Sequence, residues 1–208
     1  MCIQYMNNCV QQITDAYYKY KDNSEIEIES RLGFFNIGRF DTNVTEEFFK
    51  KIKNKFDNTN TWDNVEKINK TDYYYDKIRI SIEDDGTTEC IQKKKLEKLD
   101  FEIEDSPFDF RISFSSEKNV PNKNYTSKEG LYTRVKKRTR YTLKDLYFDL
   151  TIVTTENNAV VDKKYEIEIE IKPNDKSCLY NSINLLLKTL DIINICEKIG
   201  KKPNITPI

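Results

Sequence analysis

Glu25-Ile-Glu-Ile-Glu29 near the start of the chain and Glu166-Ile-Glu-Ile-Glu170 near its end place a glutamate at every second position. In an extended strand alternate side chains share one face, about 6.6–6.8 Å apart, so each run shows carboxylates to one side and isoleucines to the other. One such run alone is the ordinary solvated face of an antiparallel sheet above an apolar core. Two of them side by side gather up to six carboxylates on one surface, where mutual repulsion favours a divalent cation or bound protons. The rest of the chain decides between these readings.

The chain has 208 residues, one large domain or two small ones, long enough for a full core. Its hydrophobic content is 38% and its charged content 33%, the balance that strand alternation produces without any low-complexity tract. A formal net charge of -1 excludes the overall basic balance of a non-specific nucleic-acid binder, so a polyanion must meet a local patch. The five cysteines (Cys2, Cys9, Cys90, Cys178 and Cys196) are scattered and odd in number, which fits reduced thiols and a cytoplasmic location. There is no histidine, so zinc sites, Ser/His/Asp triads and Cys/His dyads lose their commonest parts. Any metal would be held by oxygen, which selects magnesium, manganese or calcium. No run of 18 apolar residues and no signal-peptide pattern occurs, and no membrane association is expected.

Residues 5–20 carry apolar positions at a helical repeat, and Thr42 or Thr45 is placed to cap a second helix through about Phe56. Strands are expected at 63–69, 72–83, 87–96, 99–104, 108–117, 131–143, 145–155 and 164–172, punctuated by turns such as Asp84-Asp-Gly86, Asp105-Ser-Pro107 and Lys128-Glu-Gly130. An apolar helix follows at about 176–199. Strands in series joined by short turns argue for an antiparallel sheet, and eight or more invite closure into a barrel. The expected fold is therefore α+β: a closed antiparallel eight-stranded β-barrel covered by flanking helices, forming one domain over residues 1–200, with 201–208 as a linker or tail. Closure changes the meaning of polarity, because the isoleucines then face the helices and the charges line the interior.

Arg134-Val-Lys136-Lys-Arg138-Thr-Arg140 places four cations on one strand face. Taken alone it reads equally as a solvated strand or as a basic patch for a nucleic-acid backbone. Other strands repeat the two-faced pattern. Arg79 and Ser81 oppose Ile78, Ile80 and Ile82; Arg111, Ser113 and Glu117 alternate with Phe110, Ile112 and Phe114; Asp149 and Thr151 alternate with Phe148, Leu150 and Ile152. A lumen carrying both signs is costly unless something occupies it. A hard metal on the carboxylates and a polyphosphate on the cations satisfy both sets. Magnesium or manganese on Glu27, Glu29 and Glu170 would polarise a terminal phosphate while Arg and Lys neutralise its oxygens, which is triphosphate hydrolysis. No P-loop is present.

These residues resemble the triphosphate tunnel metalloenzymes, in particular the fungal, protozoal and large-DNA-virus branch of mRNA-capping RNA 5′-triphosphatases. Ile26-Glu-Ile-Glu-Ser-Arg-Leu-Gly33 matches that branch's opening motif and implies Glu27 and Glu29 as metal ligands and Arg31 as a supporting lumen cation. Tyr165-Glu-Ile-Glu-Ile-Glu-Ile171 matches the closing motif and implies Glu170 as a metal ligand, with Glu168 and Glu166 ordering water. Arg79 resembles a phosphate-contacting arginine, Gln92-Lys93 the tunnel-lysine motif, and Asp109-Phe-Arg-Ile-Ser-Phe-Ser-Ser-Glu117 the strand that carries supporting Arg111 and ends in a water-positioning glutamate, Glu117. Arg134, Lys136 and Arg138 form the R-x-K-x-R signature that grips the γ-phosphate, and Asp149-Leu-Thr151 matches D-x-T. Tyr147 stands where some members carry an arginine, and the strand register leaves Lys93 and Lys94 as alternatives for the tunnel lysine.

The resemblance implies a Mg2+- or Mn2+-dependent RNA 5′-triphosphatase acting on 5′-triphosphate RNA, with NTP as a secondary substrate. It also implies a guanylyltransferase as a separate domain or protein, since no K-x-D-G motif occurs here. A viral chain of this kind would act in the host cytoplasm, a viral factory or the virion. The alternatives are a triphosphate- or polyphosphate-binding module, a thiamine-triphosphatase-like hydrolase of the same superfamily, and a structural domain with solvated charged faces.

Overall fold

The computed structural model describes residues 3–75, 77–104, 106, 108–121, 132–157, 160–175 and 178–197. The Lys128-Glu-Gly130 turn and the 201–208 tail expected from sequence lie outside the described residues. Three helices, α1 (Ile3–Tyr20), α2 (Glu46–Asp57) and α3 (Leu179–Glu197), accompany nine strands. These are β1 (Ile26–Asn36), β2 (Arg39–Asp41), β3 (Asn64–Tyr75), β4 (Ile78–Glu83), β5 (Thr88–Phe101), β6 (Asp109–Asn119), β7 (Tyr132–Leu143), β8 (Leu146–Asn157) and β9 (Val160–Ile171). The sheet runs β2-β1-β6-β5-β4-β3-β7-β8-β9, and pairing of β1 with β9 closes eight of the strands into an antiparallel barrel. The two glutamate runs meet at that seam, where Glu29 lies opposite Glu170 and Arg31 opposite Glu168.

The strands differ from the sequence expectation in several places: β2 was not expected, and β9 begins at Val160 and not at 164. The expected 63–69 strand and the start of the 72–83 strand are one continuous β3, and β4 begins only at Ile78. The expected 87–96 and 99–104 strands are likewise one β5, with a register shift between Lys95 and Glu97 that re-phases its side chains.

The isoleucine faces point outward, as closure requires. Ile26, Ile28, Phe110, Ile112, Phe114, Ile167 and Ile169 are buried, packed with Ile13 of α1, Phe49 and Ile52 of α2, and Leu186 and Ile193 of α3. Burying each such side chain is worth about 1.5–3 kcal/mol, so the seam strands are fixed by the helices they carry. Helix α2 starts at Thr45, whose hydroxyl accepts from the Phe48 amide at 3.4 Å, with Glu46 and Glu47 in the first turn. Thr42, the other expected cap, instead donates to Glu166 at 3.2 Å. A buried Thr189–Ser30 hydrogen bond of 2.8 Å ties α3 to β1. The β1–β2 hairpin turns through Ile37 and Gly38 at φ 47° and 71°, the left-handed pair that a two-residue hairpin loop demands. At Gly33 an added Cβ would collide with the carbonyl oxygen of Asp41, so the hairpin folds this closely only over glycine.

Candidate active site

Alternation turns one side chain in two of every barrel strand into the lumen, and there the charged residues converge. Two cavities, of about 380 and 470 Å3, share Glu29, Arg31, Arg79, Lys93 and Lys136 as lining and so form the two halves of one tunnel. Although charged, Glu27, Glu29, Glu166, Glu168, Asp149 and Lys136 are all buried. Such charges persist in a low-dielectric interior only where each is compensated.

The carboxylates fall into two groups. Glu168 is bound by Arg31 at 2.8 Å and Arg138 at 3.1 Å. Burial would raise its pKa, but the charges of Arg31 and Arg138 outweigh that and hold it well below the ordinary carboxylate range. Glu166 is similarly secured by Arg134 at 2.7 Å. Glu27 behaves oppositely. Burial, reinforced by the charge of Glu29 and only partly offset by Lys93, pushes it up to about 8. Burial likewise carries Glu170 up to about 7; Arg140 counters it, and Asp149 and Glu29 add to it. Of the three carboxylates assigned to a metal from sequence, Glu27 and Glu170 thus hold a proton more readily than an ordinary carboxylate, as crowded and buried acidic groups do. They are hard oxygen donors on adjacent strands, the chemistry that suits magnesium or manganese. Among the described residues no three acidic side chains are already drawn together as a metal cluster. The Lys93 ammonium sits among the acidic groups, contacting Glu27 and lying 3.1 Å from Glu117 and 3.9 Å from Glu29.

That placement also resolves the register. Lys93 is in the lumen opposite Glu117, whereas Lys94 is exposed on the outer face. Arg79 lies 3.6 Å from Glu117. The buried Nε groups of Arg31 and Arg79 make no hydrogen bond among the described residues, leaving two donors available to an anion. Arg138 is held in three ways: by Asp149 at 2.6 Å, by Glu168, and by the Thr151 hydroxyl, which accepts from its Nε at 3.1 Å. Asp149 and Thr151 therefore fix the Arg138 side chain on β7. Arg111 stands at one mouth, paired with Asp100 at 2.8 Å and lying over the Phe40 ring at 4.7 Å.

Sequence reading did not single out Asp72 or give Arg140 a role. Asp72 is fully buried, 2.6 Å from the Lys136 ammonium, and accepts from Ser81 at 2.7 Å. Burial alone would raise its pKa; Lys136 and Ser81 overcome this and hold it at about 2. Burial also pushes Lys136 below the ordinary lysine range despite that partner. Arg140 makes a two-pronged pair with Asp149, at 2.8 and 2.7 Å, and its guanidinium lies 4.0 Å from the centre of the Tyr147 ring. Tyr147 thus provides an aromatic seat for Arg140. The signal for Asp72 was present in its alternation with Lys70 and Tyr74, but it sat where two expected strands were divided.

A closed barrel whose lumen interleaves buried carboxylates with arginines and lysines belongs to the triphosphate-tunnel class of folds. The chain belongs to the family described as mRNA capping enzyme, beta chain, which matches residues 33–184. That span contains every site strand except the first glutamate run. The mRNA-capping enzyme subunit beta of Schizosaccharomyces pombe is 34% identical over 99 residues, 46% of this chain, and the chain spans only 32% of that relative's length. The S. pombe Pct1 RNA triphosphatase superposes with a TM-score of 0.72 at 20% identity, covering 94% of this chain and 93% of that one. The Mimivirus capping enzyme triphosphatase does so with a TM-score of 0.62 at 16% identity, covering 90% and 97%. At these identities the structural likeness speaks to the fold alone.

Proposed function

We propose that this chain hydrolyses the β–γ anhydride of 5′-triphosphate RNA, the first step of mRNA capping, and accepts free NTP as a second substrate. The observation that carries the reading is the interleaving of the Glu27, Glu29 and Glu170 carboxylates with Arg79, Lys93, Lys136 and Arg138 inside one closed tunnel. Membership in the capping-enzyme beta family supports the RNA substrate. Glu27, Glu29 and Glu170 would hold Mg2+ or Mn2+, and such an ion, when bound, supplies charge neutralisation and polarisation of the terminal phosphate.

The chain's own residues account for the rest. Lys136 and Arg138 grip the γ-phosphate oxygens, with Arg134 farther along the same strand and Arg79 and Lys93 on the facing wall. Together they stabilise the charge that builds as the bond to the β-phosphate breaks. Glu168, kept ionised by Arg31 and Arg138, accepts a hydrogen bond from the attacking water and aims its oxygen at the γ-phosphorus. Glu117 orients water from the Lys93 side, and Glu166 completes the row of acceptors. The β–γ bridging oxygen leaves with the RNA diphosphate, and the water oxygen departs in inorganic phosphate. In this reading the product passes to a guanylyltransferase in another domain or protein, and the setting is cytoplasmic, including a viral factory or virion for a viral chain. No described helix is long and apolar enough to cross a membrane.

The test is phosphate release from γ-labelled triphosphate RNA and from ATP, each with magnesium, manganese and chelator. Release should require the metal and should fall by more than about 100-fold on alanine substitution of Glu27, Glu29 or Glu170. Wild-type release by any of these variants would refute the metal assignment. Tight binding of triphosphate without release would establish the binding-module alternative instead.

A further inference from the structure

The two ends of the tunnel are not alike. At one end the lumen faces of β3 and β7 finish in Tyr74 and Tyr132, which are cross-strand partners. Their rings stack with centroids 4.4 Å apart and planes within 2° of parallel. Tyr132 is 53% exposed, a large share for an aromatic ring. Around this end Lys77, Lys95 and Lys98 are exposed and make no ion pair among the described residues. The nearby charges of Lys98, Arg111, Arg31 and Lys93, together with partial burial, depress the Lys95 pKa, as expected in a field of like charge. The opposite end is lined by Glu25, Glu83 and Glu89 together with Lys70, Arg138 and Arg140, the two arginines being paired with Asp149. Its own aromatic, Tyr147, is already covered by Arg140 at 4.0 Å and Lys172 at 5.7 Å.

Resting on the function proposed above, we infer that RNA enters through the end bearing the tyrosine pair, and that the outer face of this pair is a stacking platform for the first base of the transcript. A phosphodiester backbone meets unpaired ammonium groups there, with Glu97 already paired to Lys19, and a mixture of carboxylates, Lys70 and paired arginines at the far end, so the field favours entry of the polyanion from one side. Bases stack on aromatic rings with little regard to sequence, which suits an enzyme that takes transcripts by their 5′ ends. Spacing along β7 agrees. Arg134 is one lumen position inward from Tyr132, about 6.7 Å, and Lys136 two positions, about 13 Å. That is on the order of the separation between the base and the terminal phosphate of an extended nucleoside triphosphate. The Tyr74 hydroxyl also donates to Asp72 at 3.4 Å, so the platform is fastened to the carboxylate that holds Lys136.

Tyr132→Ala in the full chain, assayed with triphosphate RNA and with inorganic tripolyphosphate, tests this. The ratio of kcat/KM for RNA to that for tripolyphosphate should fall about 5- to 150-fold, the range of a base–aromatic stack, and Tyr132→Trp should restore it. Triphosphate RNA with 2-aminopurine as its first nucleotide should lose fluorescence on binding the wild type and keep it with Tyr132→Ala. An unchanged ratio with the quench retained overturns the inference. So does an equal loss on both substrates, or a fall in the ratio with Tyr147→Ala in place of Tyr132→Ala. A wild type that releases phosphate from no triphosphate would defeat the proposed function, and the fluorescence measurement would still decide the platform.

Discussion

Replacing Asp72 with asparagine removes the carboxylate 2.6 Å from the buried Lys136 ammonium while preserving the side chain's size. Two routes give the magnitude. An aspartate held at about 2 against an ordinary 3.8 contributes about 2.4 kcal/mol to stability at neutral pH, at 1.36 kcal/mol per pH unit. Breaking a buried pair by removing one partner typically costs about 3–5 kcal/mol, because the remaining charge is left without compensation. The expected loss for D72N at pH 7 is therefore about 2.5–5 kcal/mol, read from urea unfolding of wild type and variant. The sign of the pH dependence follows from the depressed pKa. The stabilisation is fully present above the unfolded value near pH 4 and is lost as pH falls through about 2. The gap should thus narrow on acidification, with about half of the linked 2.4 kcal/mol gone by pH 3. A difference below about 1 kcal/mol at pH 7, or one of equal size at pH 3, would refute the assignment of Asp72 as the anchor of Lys136.

Lys93→Ala should lower kcat/KM for triphosphate RNA by about 100-fold, as for loss of an electrostatic contact to developing charge. Lys94→Ala, on the outer face, should stay within about twofold; steady-state kinetics of the pair checks the register, and reversed effects would overturn it. Ile37 is a β-branched residue at φ 47° and 83% exposed. Ile37→Asn should therefore stabilise the fold by about 1 kcal/mol through relief of backbone strain, measured by thermal unfolding; a lower Tm would count against it.

Much of this architecture was legible because closure of a barrel makes a two-period pattern decisive. Once Glu27 and Glu29 share a face opposite Ile26 and Ile28, only the side on which the helices pack remains open, and the apolar α3 settles it. Order along the chain then assigned Arg79, Lys93, Glu117, Arg134, Lys136 and Arg138 to the lumen. Lys93 and Lys94 were inseparable by pattern, since three consecutive lysines have no alternation; pairing with β6 distinguishes them. Asp72 escaped notice because aspartate is depleted in strands. It is compensated inside β3 chiefly by Lys136, a residue more than sixty positions away, with the Ser81 hydroxyl donating to it as well. The register shift at Leu96 was hidden for a related reason: re-phasing a strand by one residue leaves no mark in composition.

The seam between β1 and β9 joins strands from opposite ends of the barrel sequence through three register pairs, two of which juxtapose charged residues of the site. Contacts of such high sequence separation carry a larger loop-closure cost than hairpins such as β7–β8 and β8–β9. With the seam unpaired, Glu29 and Glu170 are parts of separate, open edges. Closing the ring and bringing these two carboxylates together are thus the same event. A chain with the seam open therefore lacks the juxtaposition of Glu29 and Glu170 on which the proposed metal site depends.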